Sequence, residues 1–139
     1  MSLEKELIDS GVDSSATSIF LEFIEHKHQL ESLDKKIEKI IENGRWFGTE
    51  NYVAIHSPTS FCEDEAEPAE AFDSFELFDY PDSYRITFGK FKEAMRATAR
   101  YYLTLHPSER APVLKSLGRL EGYVDDLDRA HQRWKARKV

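Results

Sequence analysis

A single cysteine, Cys62, leaves no partner for an internal disulfide and too few thiols for a cysteine-rich metal site. The three acids that follow it, Glu63, Asp64 and Glu65, disfavour a reactive thiolate. No apolar run exceeds a few residues, as at Ile19 to Leu21, so no segment is long enough to span a bilayer. The opening Met1-Ser2-Leu3-Glu4-Lys5-Glu6 lacks the basic region and apolar stretch of a secretory signal, which leads to the expectation of a cytoplasmic protein. No glycine-rich loop stands at a strand-to-helix junction, and there is no nucleophile-elbow pattern. His26 and His28 are two apart, which points them to different faces of a helix rather than to one metal ion. These absences argue against catalysis, a resident metal and a cofactor.

Bases are missing in one place above all. From Trp46 to Tyr84 there is no lysine or arginine, while the same stretch holds Glu50, Glu63, Asp64, Glu65, Glu67, Glu70, Asp73, Glu76, Asp79 and Asp82. Those ten are drawn from 26 acids, so the flanks keep 16 acids against all 19 bases, a charge of about +3 on a chain of net charge −7. The net charge argues against direct binding of nucleic acid, which needs a basic surface.

What is present suffices for a core. Apolar residues make up 40 % of the 139 positions and aromatics 12 %, and the length suits a single domain over residues 1–139. Ser2 can cap a short helix over Leu3 to Ile8, ended by Gly11. From Ser15 the apolar positions Ile19, Phe20, Phe23, Ile24, Leu30, Leu33, Ile37, Ile40 and Ile41 fall mostly at helical steps. They describe one long helix, or two with a break near Gln29 to Ser32, stopped by Asn43-Gly44. The middle third holds strand formers around Trp46, Phe47 and Asn51 to His56, and then an acidic surface loop over Phe61 to Phe72. Ser74 to Thr87 reads as a hairpin turning at Tyr80-Pro81-Asp82-Ser83, with Phe75 and Leu77 on one face and Glu76 and Phe78 on the other.

Thr87 is placed to cap a helix carrying Phe88, Phe91, Met95, Thr98, Tyr102 and Leu105, which His106-Pro107 stops. Ser108 is placed to cap the next, with Glu109 and Pro112 in its first turn and Val113, Leu117, Leu120, Val124 and Leu127 at steps of four and three. That spacing reads as a core-facing helix rather than a coiled-coil seam, followed by a frayed basic tail of Arg133, Lys135, Arg137 and Lys138. The expected fold is α+β and mainly helical: N-terminal and C-terminal helices packed with a small antiparallel sheet from the middle third.

The acidic stretch is interleaved with aromatics, unlike a solvating tail. Charge that steers encounter, beside aromatic anchors, is what a surface for a cationic protein needs. The expected contacts are Glu63, Asp64, Glu65, Glu67, Glu70 and Asp73, with Phe61 and Phe72 as anchors. Lys90, Lys92 and Arg96 are the next candidates should the interface lie on the helices.

The stretch Tyr84-Arg85-Ile86-Thr87-Phe88-Gly89-Lys90-Phe91-Lys92-Glu93, continuing through Arg100-Tyr101-Tyr102-Leu103-Thr104-Leu105-His106-Pro107 to Glu109-Arg110, resembles bacterial immunity proteins of contact-dependent growth inhibition systems that neutralise ribonuclease toxins. The resemblance runs from Tyr84 onward and implies a cytoplasmic protein that binds its cognate toxin over the active site. No binding residue transfers by position, because such proteins diverge quickly. An acidic adaptor or regulatory subunit for another cationic protein, and a small hydrolase, are the alternatives. The sequence leaves the identity of the toxin and the oligomeric state open.

Overall fold

The chain is seen in a computed structural model that describes residues 2–24, 31–48, 52–60 and 68–137. His26, His28 and Cys62 lie outside the described residues. The fold is mainly helical α+β, with five α-helices and one four-stranded antiparallel sheet among the described residues.

Helix α1 spans Leu3–Asp9, and the Ser2 hydroxyl accepts from the Lys5 amide at 3.2 Å, satisfying one otherwise orphaned donor. Two separate helices follow, α2 over Thr17–Ile24 and α3 over Leu33–Asn43, with Ser32 extended ahead of the second. Lys36 of α3 is fully buried, and its ammonium donates to the Phe23 carbonyl at 2.9 Å. That carbonyl lies in the last turn of α2 described. The lysine therefore ties the end of α2 to the flank of α3.

Helix α3 stops at Gly44, whose φ of 76° lies in the left-handed region. Glycine is also needed there for space, since a Cβ would sit 2.3 Å from the Thr59 hydroxyl. Thr59, Ser57 and Tyr123 gather three hydroxyls at 2.6, 2.9 and 3.1 Å from one another, joining the segment after the second strand to the last helix.

Strands β1 (Arg45–Phe47), β2 (Val53–His56), β3 (Ser74–Asp79) and β4 (Asp82–Thr87) pair in chain order. The register puts Trp46, Ile55, Leu77 and Tyr84 in one row and Phe75 beside Ile86 on the same face. This inner face packs on α2 and on α4 (Phe88–Leu105). Phe75 stacks on Phe91 with centroids 4.0 Å apart, and Phe23 meets Trp46 edge-on at 4.8 Å. Helix α5 (Arg110–Arg137) lies against α3 and α4. Across the first contact Glu38 accepts from Ser116 at 2.8 Å and pairs with Arg119. One hydrophobic cluster takes residues from every helix and strand, including Phe91, Met95, Tyr102, Leu117 and Leu120.

Three boundaries differ from the expected ones. Thr87 precedes α4 with extended backbone, but its side chain makes no capping hydrogen bond. Ser108 does not cap α5: Pro107–Glu109 forms a 3-10 turn first, and the α-helix begins at Arg110. Glu109 instead accepts a 2.6 Å hydrogen bond from the Tyr102 phenol, a tertiary contact that no local spacing announces. The basic tail is helical rather than frayed through Arg137, where α5 ends, and Lys138 lies outside the described residues.

Tyr102 is 1 % exposed. Its oxygen donates to Glu109 and accepts from the Leu33 amide at the start of α3. Burial, and then the hydrogen bond to Glu109, push its pKa up to about 12. The neutral phenol is favoured in the fold, so this stabilisation is full below the ordinary value of 10 and is lost as pH rises towards 12. The melting midpoint should fall between those two pH values, and by less in Tyr102→Phe, which should itself cost roughly 1–3 kcal/mol at neutral pH. An equal alkaline fall in both proteins would exclude this account.

The glycines give a second test, of opposite signs. Gly118 and Gly122 are exposed within α5, and a Cβ at either meets nothing within 4 Å. Alanine at each should stabilise by about 1 kcal/mol, whereas Gly44→Ala should cost roughly 1–3 kcal/mol. Denaturant midpoints of the three variants measure this directly, and a stabilised Gly44→Ala would refute the turn geometry.

Candidate functional site

Phe61, Glu63, Asp64, Glu65 and Glu67 lie outside the described residues. Glu70 sits in a 3-10 turn, Ala69–Ala71, held against α5. Its carboxylate pairs with Arg137 at 2.9 Å, and its carbonyl lies 2.9 Å from Nδ1 of His131, a residue only 7 % exposed. Glu70 thus fastens the turn to the last helix, and its charge is met by a base from the chain's other end. Phe72 is half-buried, with the Arg85 guanidinium 5.4 Å from its ring centroid. Asp73 is exposed and makes no ion pair among the described residues.

The hairpin continues the acidic surface. Glu76 on its outer face pairs loosely with Arg85, at 4.0 Å. At the far end Asp79 and Asp82 are direct cross-strand partners, two like charges facing each other on either side of the Tyr80-Pro81 turn, whose peptide bond is cis. Such opposition destabilises a sheet unless something else uses it. Asp79 accepts from Ser18 at 3.1 Å, and Asp82 is exposed without an ion pair among the described residues.

Aromatic surface accompanies these charges. Tyr80 is 72 % exposed and Tyr52 54 %, with ring centroids 5.9 Å apart. The Tyr80 amide donates to the Tyr52 carbonyl at 2.8 Å, which fixes the two rings beside each other. On the outer sheet face Phe47 lies edge-on to His56 at 5.4 Å, and His56 to Phe78 at 4.9 Å. The interleaved aromatics therefore divide: Trp46 and Phe75 are core, while Phe47, Tyr52 and Tyr80 are exposed.

Glu70, Phe72 and Asp73 come together next to β3, but Glu70 is engaged inside the fold. The tip residues Tyr52, Asp79, Tyr80 and Asp82 are the ones the sequence did not single out. Their signal was the Tyr-Pro-Asp turn between two alternating strands, legible as a turn but not as an aromatic pair. Of the helix candidates, Lys92 pairs with Asp125 at 2.7 Å, and Arg96 grips Glu121 through two bonds of 2.7 and 2.8 Å. Lys90 is exposed and covers Gly11, its Cδ lying 2.9 Å from where a Cβ would stand.

Among the described residues no group of three or more His, Cys, Asp and Glu side chains is arranged to hold a metal ion. None of their helices is long and apolar enough to cross a membrane. What the hairpin end can do chemically is bind: it offers fixed negative charge and apolar ring surface together. Compared with family models, curated proteins and solved structures, the chain matches none.

Proposed function

We propose that the chain is a cytoplasmic immunity protein that neutralises a cationic protein toxin, with a ribonuclease as the expected target, by covering its basic substrate cleft. One observation carries the reading. The two facing aspartates, Asp79 and Asp82, bracket an exposed and mutually fixed tyrosine pair at the end of a rigid hairpin. Carboxylates that oppose each other in the free protein gain on meeting arginine or lysine, so the binding partner relieves a repulsion present beforehand. Tyrosine rings buried at the same place supply the desolvated contact that holds the complex. Asp73, exposed at the opposite end of β3, adds negative charge that contributes to long-range steering. The resemblance from Tyr84 onward points to the same class of partner. An adaptor for another cationic protein would use this surface too, and the partner itself distinguishes the two.

The test is binding to the product of the neighbouring toxin gene, with RNA cleavage as the second readout. Asp73→Lys/Asp82→Lys should slow association by roughly tenfold or more at low ionic strength, and added salt should shrink the difference. Tyr80→Ala should leave association nearly unchanged and speed dissociation by about tenfold or more, the behaviour of an interface anchor. Tyr80→Ala should keep the wild-type melting midpoint, and the charge-reversed variant, which replaces the repulsion at Asp79 by attraction, should keep or slightly raise it. Wild-type kinetics in both would remove the hairpin end from the interface. Uninhibited cleavage with tight binding would replace the immunity reading by the adaptor one.

A further inference from the structure

A second surface has the opposite character. Between α4 and α5 runs a groove of about 410 Å³ with a floor of Ala99, Leu103 and Leu117. Leu114 stands at its side, 44 % exposed, and Leu105, one residue beyond the lining Thr104, is 60 % exposed. Both are large apolar side chains left in water on a helix pair that is otherwise well packed.

Three arginines line this groove: Arg96, Arg100 and Arg110. Arg96 is held in place by its paired bonds to Glu121, which also lines it. Arg100 stays two-thirds exposed and lies 3.8 Å from Glu6, too far for a tight bond. Arg110 is exposed and makes no ion pair among the described residues. The rim is therefore cationic on a chain whose net charge is −7. A fixed base-rimmed apolar trough on an acidic protein is complementary to negative charge carried on an apolar body.

We infer that this groove docks an acidic amphipathic segment of a partner protein, its apolar side chains on Leu103, Leu114 and Leu117 and its carboxylates on Arg100 and Arg110. Guanidinium forks at the rim suit carboxylates in two-point contact. The lining runs from Arg96 to Thr104 on α4 and from Arg110 to Glu121 on α5, further than a compact anion would cover, which favours a peptide laid lengthwise. A nucleic acid is disfavoured by the chain's overall charge. The inference is independent of the toxin reading, because the hairpin end attracts cations and this groove attracts anions.

The test is a selection of random peptides displayed against the intact chain, followed by affinity measurements on those enriched. Enriched peptides should pair Asp or Glu with Leu or Phe repeated at steps of three and four. Arg100→Glu/Arg110→Glu should weaken their binding by about tenfold or more, as reversal of two rim charges does. Leu114→Ser, with the rim intact, should weaken it as well, and both variants should melt like wild type. Asp73→Lys/Asp82→Lys should bind the same peptides as the wild type does. Failure to enrich any peptide, a consensus poor in acids, or equal affinity for the arginine variant would overturn the inference. So would self-association in sedimentation that Arg100→Glu/Arg110→Glu abolishes, since the occupant would then be a second copy.

Discussion

The phenol of Tyr102 sits where three helices meet, and its hydrogen bonds are made to groups far apart in the chain. It belongs to α4, receives the first amide of α3 and donates to Glu109 just ahead of α5. Ser32, in the usual capping position of α3, makes no such bond from its side chain, so the tertiary hydroxyl takes over the cap. The angle between the C-terminal helices is thereby tied to the start of α3. From α3 the constraint passes through Lys36 to the end of α2, and through Gly44 to the first strand. The sheet is set on the helices by these few polar joints as much as by the aromatic stack of Phe75 on Phe91.

Charge in this protein looks different along the chain and in space. The middle third has no base of its own, yet Arg85 and Arg137 reach Glu76 and Glu70 from outside it. Exposed pairs of this kind contribute little to stability, about 0–1 kcal/mol each, but they change which acids remain available to a partner. What is left at the described surface is Asp73, and the facing Asp79 and Asp82. Among the described residues the unpaired acids of the stretch stand at the two ends of the hairpin, Asp73 at its base and the facing pair at its tip. The cationic rim on α4 and α5 is likewise invisible as a run, since Arg96, Arg100 and Arg110 are spread over two helices and the turn between them.

Periodicity carried most of the fold. The apolar steps of α4 and α5, the alternation of Phe75 and Leu77 against Glu76 and Phe78, and the Asn43-Gly44 stop each depend on neighbours a few residues away, and each is visible where it was expected except at Leu105, which stands 60 % exposed at the end of α4. The boundaries that moved were settled at long range. Glu109 turns away from the start of α5 towards a tyrosine seven positions earlier, and the basic tail is helical through Arg137, which has an acid 67 positions away to pair with. The candidate site was legible in the sequence only as a composition. Composition identified acids with aromatics, but only register could put Asp79 opposite Asp82, and only the fold could set Tyr52 beside Tyr80.

The tip formed by Tyr80, Pro81, Asp82 and Ser83 touches water on most sides and lends no side chain to the hydrophobic cluster. Substitutions at such positions generally move stability by less than about 0.5 kcal/mol. The residues that present a surface to the outside are thus thermodynamically uncoupled from those that hold the fold. A lineage carrying this chain can revise the tip one residue at a time, with folding exerting almost no selection against the change. On the proposed function, divergence in what the hairpin recognises is then limited by the partner's own rate of change, and the helical scaffold beneath can stay as it is.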